Sequence, residues 1–235
     1  MARSRFGALA EAAAALCVKV GMQSCKELRE ANLFYWHYKG LCAADLATLA
    51  ALGSELPALE CLILDEPSGS AGPDGVQRLA EGLIAGALRA VTYLSIGGTH
   101  VGDTGASALA AALDRGALPR LQNLSLTEGA IGDAGLAALA PALRRRPALK
   151  QLYLRANPLG DEGLAALVAP RRRAGGLKKL ELLNLDSTQV TDAGCASLAV
   201  ALYSGALPAL EVIHLGGIRA SAAAKDAVRA AQGSS

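Results

Sequence analysis

Leu121-Gln-Asn-Leu-Ser-Leu126, followed six residues on by Gly132-Asp-Ala-Gly135, is the stretch whose reading decides the fold. Its leucines fall at positions 1, 4 and 6 of the segment. In a strand, alternation puts Leu124 and Leu126 on one face and Asn123, Ser125 and Thr127 on the other. Leu136, Leu139 and Leu143 then recur at helical spacing, and Asp133 stands where a helix N-cap is expected. One copy therefore reads as strand, turn and helix.

The same unit recurs on both sides. Val91/Leu94/Ile96 precede Gly102-Asp-Thr-Gly105, Leu149/Leu152/Leu154 precede Gly160-Asp-Glu-Gly163, and Leu180/Leu183/Leu185 precede Thr191-Asp-Ala-Gly194. Starts at 91, 121, 149, 180 and 210 give steps of 30, 28, 31 and 30 residues. A fixed period of that length is the mark of a solenoid, in which each unit buries its apolar stripe only by stacking on its neighbours. The helix stripes are Ala106/Leu109/Leu113, Leu164/Leu167 and Cys195/Leu198/Leu202. Upstream, Leu59/Leu62/Leu64 with Leu79, Leu83 and Leu88 form a copy whose turn, Glu66–Gly75, is about two residues longer. A more degenerate copy precedes it, with Leu33 and Tyr35 as core strand positions and Leu46/Leu49/Leu52 as its helix. The last copy, Leu210/Ile213/Leu215, replaces the Gly-Asp turn by Ala220-Ser-Ala-Ala and ends in a polar helix over 221–231. The expected organisation is a single domain over 1–235. It comprises an N-terminal helical cap (1–29), degenerate repeats (30–90), regular repeats (91–209) and a C-terminal cap (210–235).

On these motifs the chain resembles the leucine-rich repeat superfamily, in its ribonuclease-inhibitor-like class of long repeats with an α-helix on the convex side. The resemblance implies an α/β solenoid, a right-handed α/β horseshoe with a parallel concave sheet and convex helices. It extends to the repeats of Ran GTPase-activating proteins and of NOD-like receptors. The family prefers Asn or Cys at repeat position 9, which here holds Tyr38, Pro67, Thr99, Gly129, Asn157, Thr188 and Ile218. Only Asn157 keeps the usual residue, so a continuous asparagine ladder is not expected.

Composition narrows the function. Apolar residues make up 52% and aromatics 3%, so the core is built of Leu and Ala in thin layers. A net charge of +2 implies neither nucleic acid nor a membrane surface. Five cysteines, an odd number without a C-x-x-C pair, point to a reducing, cytoplasmic setting. Arg3 and Arg5 precede an apolar stretch that Glu11 interrupts, which reads as a capping helix rather than a signal peptide; an organelle transit peptide stays open. The glycines around Gly97-x4-Gly102-Asp103-Thr104 lack the lysine of a phosphate loop, and a carboxylate there would repel phosphate. His37, His100 and His214 lie in separate copies, and Asp103, Asp133, Asp161 and Asp192 occupy one equivalent position in successive layers. The aspartates are expected to be helix N-caps rather than a calcium cage. No catalytic, cofactor or metal residue is assigned.

Three surfaces remain as binding candidates. Positions 3, 5 and 7 should project from the concave sheet, giving Phe34, Trp36, Tyr93, Tyr153, Arg155, Asp186 and His214 as partner-binding candidates. Phe34-Tyr-Trp-His-Tyr38 holds four of the eight aromatics; alternation in this register sends Phe34 and Trp36 out and Tyr35 in. Ten of the 23 basic residues lie within 144–179, including Arg144, Arg145, Arg146, Arg171, Arg172, Arg173, Lys178 and Lys179. That basic rim fits either an acidic partner surface or simple complementation of helix C-termini. The leading expectation is a non-enzymatic protein-interaction scaffold that uses the concave face. A small-GTPase regulator, implied by the resemblance, and a structural subunit docked through the basic rim are the alternatives.

Overall fold

The structure is a computed structural model that describes residues 2–66, 71–169 and 176–233. Two helices, α1 (Ala2–Val20) and α2 (Cys25–Glu30), lead into an alternating series. It runs β1 (Leu33–His37), α3 (Ala43–Leu52), β2 (Cys61–Asp65), α4 (Gly72–Ile84), β3 (Tyr93–Ser95), α5 (Gly102–Asp114), β4 (Asn123–Ser125) and α6 (Asp133–Arg144). It continues with β5 (Gln151–Tyr153), α7 (Asp161–Val168), β6 (Leu182–Asn184), α8 (Asp192–Tyr203), β7 (Val212–His214) and α9 (Ala222–Gln232). The seven strands form one parallel sheet in sequential order, so each helix from α3 to α8 is a crossover that returns the chain beside its predecessor. The fold is an α/β solenoid, as the period requires.

Sequence decides the two faces of the sheet. The leucines at positions 4 and 6 of each regular copy are buried against the helix layer, together with the helix stripes Leu109/Leu113, Leu136/Leu139/Leu143, Leu164/Leu167 and Leu198/Leu202. Position 11 closes each layer: Leu41, Val101, Ile131, Leu159 and Val190 are all buried. Successive helices from α3 to α9 pack side by side, and α1 packs on α3. α2, which the repeat pattern does not foresee, is capped by Ser24, whose side chain accepts from Glu27 N.

The first copy departs from the expected register by one residue. Phe34 pairs with Leu62, Tyr35 with Ile63 and Trp36 with Leu64. Phe34 (0% exposed) and Trp36 (4%) are therefore core residues, stacked at 4.4 Å, while Leu33 and Tyr35 face out. The physical reason is area: burying two large rings removes more apolar surface from water than burying Leu33 and a tyrosine that needs a partner for its hydroxyl. Position 9 of this copy accordingly becomes Lys39 rather than Tyr38.

The recurring aspartates do not cap their own helices. Asp133, Asp161 and Asp192 are the first residues of their helices and Asp103 the second residue of α5. Each reaches into the next layer. Asp103 Oδ1 accepts from Gly132 N (2.7 Å) and Gly135 N (3.0 Å). Asp133 Oδ1 accepts from Gly160 N (2.7 Å) and Gly163 N (2.8 Å). Asp161 Oδ1 accepts from Thr191 N and Gly194 N, and Asp192 Oδ1 accepts from Ser221 N. At Asp103, Asp133 and Asp161 one carboxylate thus satisfies two backbone donors at the start of the following helix, where the dipole also favours negative charge. The conjunction of Gly with Asp follows: a Cβ at Gly135, Gly163 or Gly194 would lie 2.4–2.7 Å from the previous layer's aspartate oxygen.

Asn157 plays a parallel role in the opposite turn. Its Oδ1 accepts from Gly129 N and Ile131 N, and its Nδ2 donates to Leu126 O and Leu154 O, so it stitches two layers. Thr99 and Thr188, at the same position, donate only to Ile96 O and Leu185 O in their own turns. Glu66 serves the first turn instead, accepting from Lys39 N and Gly40 N. Pro67 lies outside the described residues.

Candidate functional site

Rows of side chains at positions 3, 5 and 7 cover the sheet face turned away from the helices. Parallel pairing in strict register stacks Cys61, Tyr93, Asn123, Gln151, Leu182 and Val212 as one row. The next row holds Tyr35, Ile63, Ser95, Ser125, Tyr153, Asn184 and His214. The rows are cross-linked: Asn123 Nδ2 donates to Gln151 Oε1 (2.6 Å), and the Tyr153 hydroxyl donates to the same oxygen (2.9 Å).

A cleft of about 320 Å³ opens on this face over β1 to β4. It is lined by His37, Tyr38, Asp65, Tyr93, Thr127 and Glu128 together with the small residues Ser95, Gly97, Gly98 and Ser125, which are buried. These small buried residues among larger ones are what make the depression, and they form its floor. At Gly97, a Cβ would meet Asp65 Oδ1 at 3.0 Å and the Thr127 carbonyl at 3.2 Å, so the floor cannot rise without a shift. Asp65 Oδ1 accepts from the Ser95 hydroxyl (2.9 Å), and its Oδ2 lies 3.3 Å from His37 Nδ1. Burial first, then the neighbouring Tyr153, Cys61, Asp65 and Tyr35, push the Tyr93 phenol above its ordinary pKa. Tyr93 therefore stays a neutral hydrogen-bonding group throughout the physiological range.

Ser, Asp and His meet here, but in an order that does not activate a nucleophile. The serine proton is committed to the carboxylate and the imidazole lies on the far side of Asp65, whereas a serine relay needs the imidazole against the hydroxyl. The aspartates of the turn ladder spend an oxygen on backbone N–H groups of the next layer. Among the described residues no three His, Cys, Asp or Glu side chains gather as a cation site.

The expected concave residues divide. Phe34 and Trp36 are interior, as the corrected register requires, and leave the binding set. Tyr93 and Tyr153 lie half-buried on the open face, and Arg155 is exposed beside it, pairing with Glu128 at 3.2 Å. Asp186 is half-buried and accepts from Gly216 N, so one of its oxygens holds the last turn together. His214 is exposed on β7, at the far end of the sheet from the cleft. Tyr38, His37 and Glu128 are the site residues that the repeat alignment missed; Asp65 it had already set at position 7. Counting back ten positions from Leu41, as from Val101 or Ile131, would have set the first copy correctly and turned His37 to the open face.

One part of the basic rim, the triplet at 144–146, is spent on the protein itself. Arg144 is 8% exposed and donates to Ala166 O and Leu167 O at the C-terminus of α7. Arg146 donates to Leu113 O in the last turn of α5, and Arg145 pairs with Asp114 at 2.5 Å. One triplet thus reaches sideways to both neighbouring helices, satisfying carbonyls that a helix end leaves open. For 144–146, of the two readings of the basic rim, the geometry is that of helix C-terminus complementation. Lys178 and Lys179 are exposed. Arg171, Arg172 and Arg173 lie outside the described residues.

Comparison with known proteins agrees with the architecture. A family profile described as "Leucine Rich repeat" matches residues 88–110, 119–140, 147–168 and 176–199, the four regular copies. No curated protein sequence matches this chain. Among solved structures, a chain in the crystal structure of the Rad7 and Elc1 complex in yeast is similar at 14% identity and a TM-score of 0.31. That alignment covers 99% of this chain and 75% of that one. With the repeat motif matched in its four regular copies, and seven strand–turn units stacked in register, the chain is a leucine-rich repeat protein.

Proposed function

We propose that this protein is a non-enzymatic protein-interaction module that takes its partner on the open, concave face of the sheet, around the His37–Glu128 cleft. The observation that carries the reading is the cleft itself: tyrosines standing over a floor of serine and glycine, with polar side chains at the rim. Tyrosine supplies large contact area at little conformational cost and is enriched at binding hot spots. Small floor residues leave room for an inserted partner side chain.

The test replaces Tyr38 and Tyr93, which line the cleft, and Tyr153 on the same face by alanine together. Trp36 is excluded because it is core. Capture of partners from the native source should fall at least about tenfold for the loss of one such hot-spot cluster, while the circular dichroism melt stays close to that of the wild type. Undiminished capture by the folded triple variant would remove this face from consideration. A role in regulating a small GTPase rests on the family resemblance alone, and docking through the basic rim has less support at 144–146, where Arg144 and Arg146 serve helix ends. We also place the protein in a reducing, intracellular compartment, on the strength of its five cysteines without a paired motif.

A further inference from the structure

Two thiols stand together in the N-terminal cap. Cys17, in the last turn of α1, donates to Cys25 at the start of α2, with the sulfurs 3.7 Å apart. Their backbones are held by a tight turn. Gly21, at φ +83°, ends α1, with Gly21 N donating to Val18 O (3.2 Å) and Met22 N to Cys17 O (2.8 Å). That pair of bonds is a Schellman closure, and it fixes the carbonyl of Cys17 itself. Ser24 then caps α2 through Glu27 N, so the residue before Cys25 is anchored too. The two cysteines are thus presented to each other by backbone hydrogen bonds on both sides. A disulfide needs the sulfurs at about 2.05 Å, about 1.6 Å closer than they stand.

We propose that Cys17 and Cys25 form an oxidation site, a dithiol that closes to an α1–α2 disulfide when it meets a disulfide oxidant such as oxidised glutathione. Cys25 is the more accessible thiol and is the point of entry; Cys17 is buried. The Cys25 thiolate attacks one sulfur of oxidised glutathione, whose S–S bond breaks and releases one glutathione thiolate. Cys17 then gives up its proton to solvent, and its sulfur attacks Cys25 Sγ. The mixed disulfide breaks, and the second glutathione leaves. Two thiols are oxidised, one disulfide is reduced to two thiols, and two protons balance the exchange. Burial first, then the hydrogen bond and charge of Cys25, raise the Cys17 pKa to about 11. The second step is therefore the slow one and accelerates as pH rises. In a reducing compartment the pair rests as the dithiol.

Closure would act on the cap alone. α1 packs on α3, and Lys19, two residues from Cys17, pairs with Asp45 of α3 at 2.6 Å. Tying Cys17 to Cys25 therefore fastens α2 to the helix that covers the first layer, at the end of the sheet that bears the cleft.

The experiment equilibrates the full chain with glutathione redox buffers, native and in denaturing urea, then traps free thiols and maps the tryptic peptides. Residues 6–19 and 20–26 should appear linked, with an intact mass lower by about 2 Da and full reversal by dithiothreitol. The equilibrium should favour the disulfide at least about tenfold more in the folded protein than in urea, about 30 mV for a two-electron couple. Cys25→Ser, a change at a half-buried position, should abolish the link, and Cys17→Ser should leave a glutathione adduct held at Cys25. Equal equilibrium constants in native buffer and urea would overturn the proposal. So would a link from either cysteine to Cys42, Cys61 or Cys195 in preference to each other.

Discussion

Replacing Asp133 by alanine tests whether the turn aspartates hold the layers together. The carboxylate is half-buried, and its Oδ1 accepts from Gly160 N and Gly163 N at the start of α7. A hydrogen bond to a charged group is worth about 1.5–3 kcal/mol, and loss of an N-cap costs about 0.5–2 kcal/mol. Because both donors share one oxygen at a water-accessible edge, Asp133→Ala should cost about 2–3 kcal/mol, toward the lower end of the summed losses. In a chain of this length that corresponds to a melting shift of about 4–12 °C. Asp133→Asn keeps an acceptor but loses the charge that the helix dipole favours, and should cost about 1 kcal/mol. The ladder also predicts coupling. A Cβ on Gly163 would sit 2.7 Å from Asp133 Oδ1 and 3.1 Å from its Cα. Gly163→Ala should therefore be less harmful when Asp133 is already alanine, so the double variant costs at least about 1 kcal/mol less than the sum. Urea unfolding followed by circular dichroism measures all four corners. An Asp133→Ala cost within about 0.5 kcal/mol of zero, or strict additivity with Gly163→Ala, would refute the reasoning.

Other outcomes follow from the same geometry. Trp36 is the only tryptophan, so the folded protein should show blue-shifted emission and weak acrylamide quenching that both change on unfolding; water-like emission from folded protein would return Trp36 to the surface. Arg144→Ala should lower stability by about 2–3 kcal/mol by leaving α7 carbonyls without a charged donor, whereas Arg145→Ala, which loses an exposed pair, should cost under about 1 kcal/mol; equal costs in urea melts would contradict the assignment. Burial disfavours the Asp45 carboxylate, but hydrogen bonds from the Cys42 backbone, from Lys19 and from the Cys42 side chain outweigh it and lower its pKa. Lys19 is raised, chiefly by its hydrogen bond to Asp45. The Asp45 contribution is present above its unfolded pKa of about 4 and is lost as pH falls through the lower folded value. The Lys19 contribution is complete below about pH 10 and is lost as pH rises through its raised folded value. Protection of α1 amides, with exchange rates divided by the intrinsic rate at each pH, should fall at both extremes, and Asp45→Asn should flatten the acid limb; an unchanged acid limb would exclude the pair as its source.

How much of this was legible in the sequence depended on what carried the signal. Leu124, Leu126, Leu136 and Leu139 announce their environment because strand and helix periods differ and each copy repeats both. The first copy broke that reading because Leu33-Phe-Tyr-Trp-His37 is apolar at nearly every position, so alternation alone does not choose a face. Leu41, ten residues after the true start, held the missing register. The aspartates were visible as a pattern, but their partners lie about 30 residues on, in the next layer, where local capping rules do not look. For Arg144–Arg146 the helix-end role was legible, but not that the triplet fans toward two neighbours, α5 and α7, because those contacts lie 22–33 residues away in sequence. The cleft was beyond reach because it arises from size contrast across four strands, between Tyr38 or Tyr93 and Gly97 or Ser125, and not from any contiguous motif.

The central claim is that partners sit on the open sheet face. A photo-crosslinking residue placed singly at Tyr38, Tyr93 or Tyr153, and as controls at the exposed Val200 and Tyr203 of α8, tests it directly in the native source. Shared adducts with one partner from the three sheet-face positions, exceeding those from α8 by about tenfold or more, are the expected result for a hot-spot-centred interface. Adducts to the same partner that come chiefly from Val200 and Tyr203 would contradict it and move the interface to the helical side.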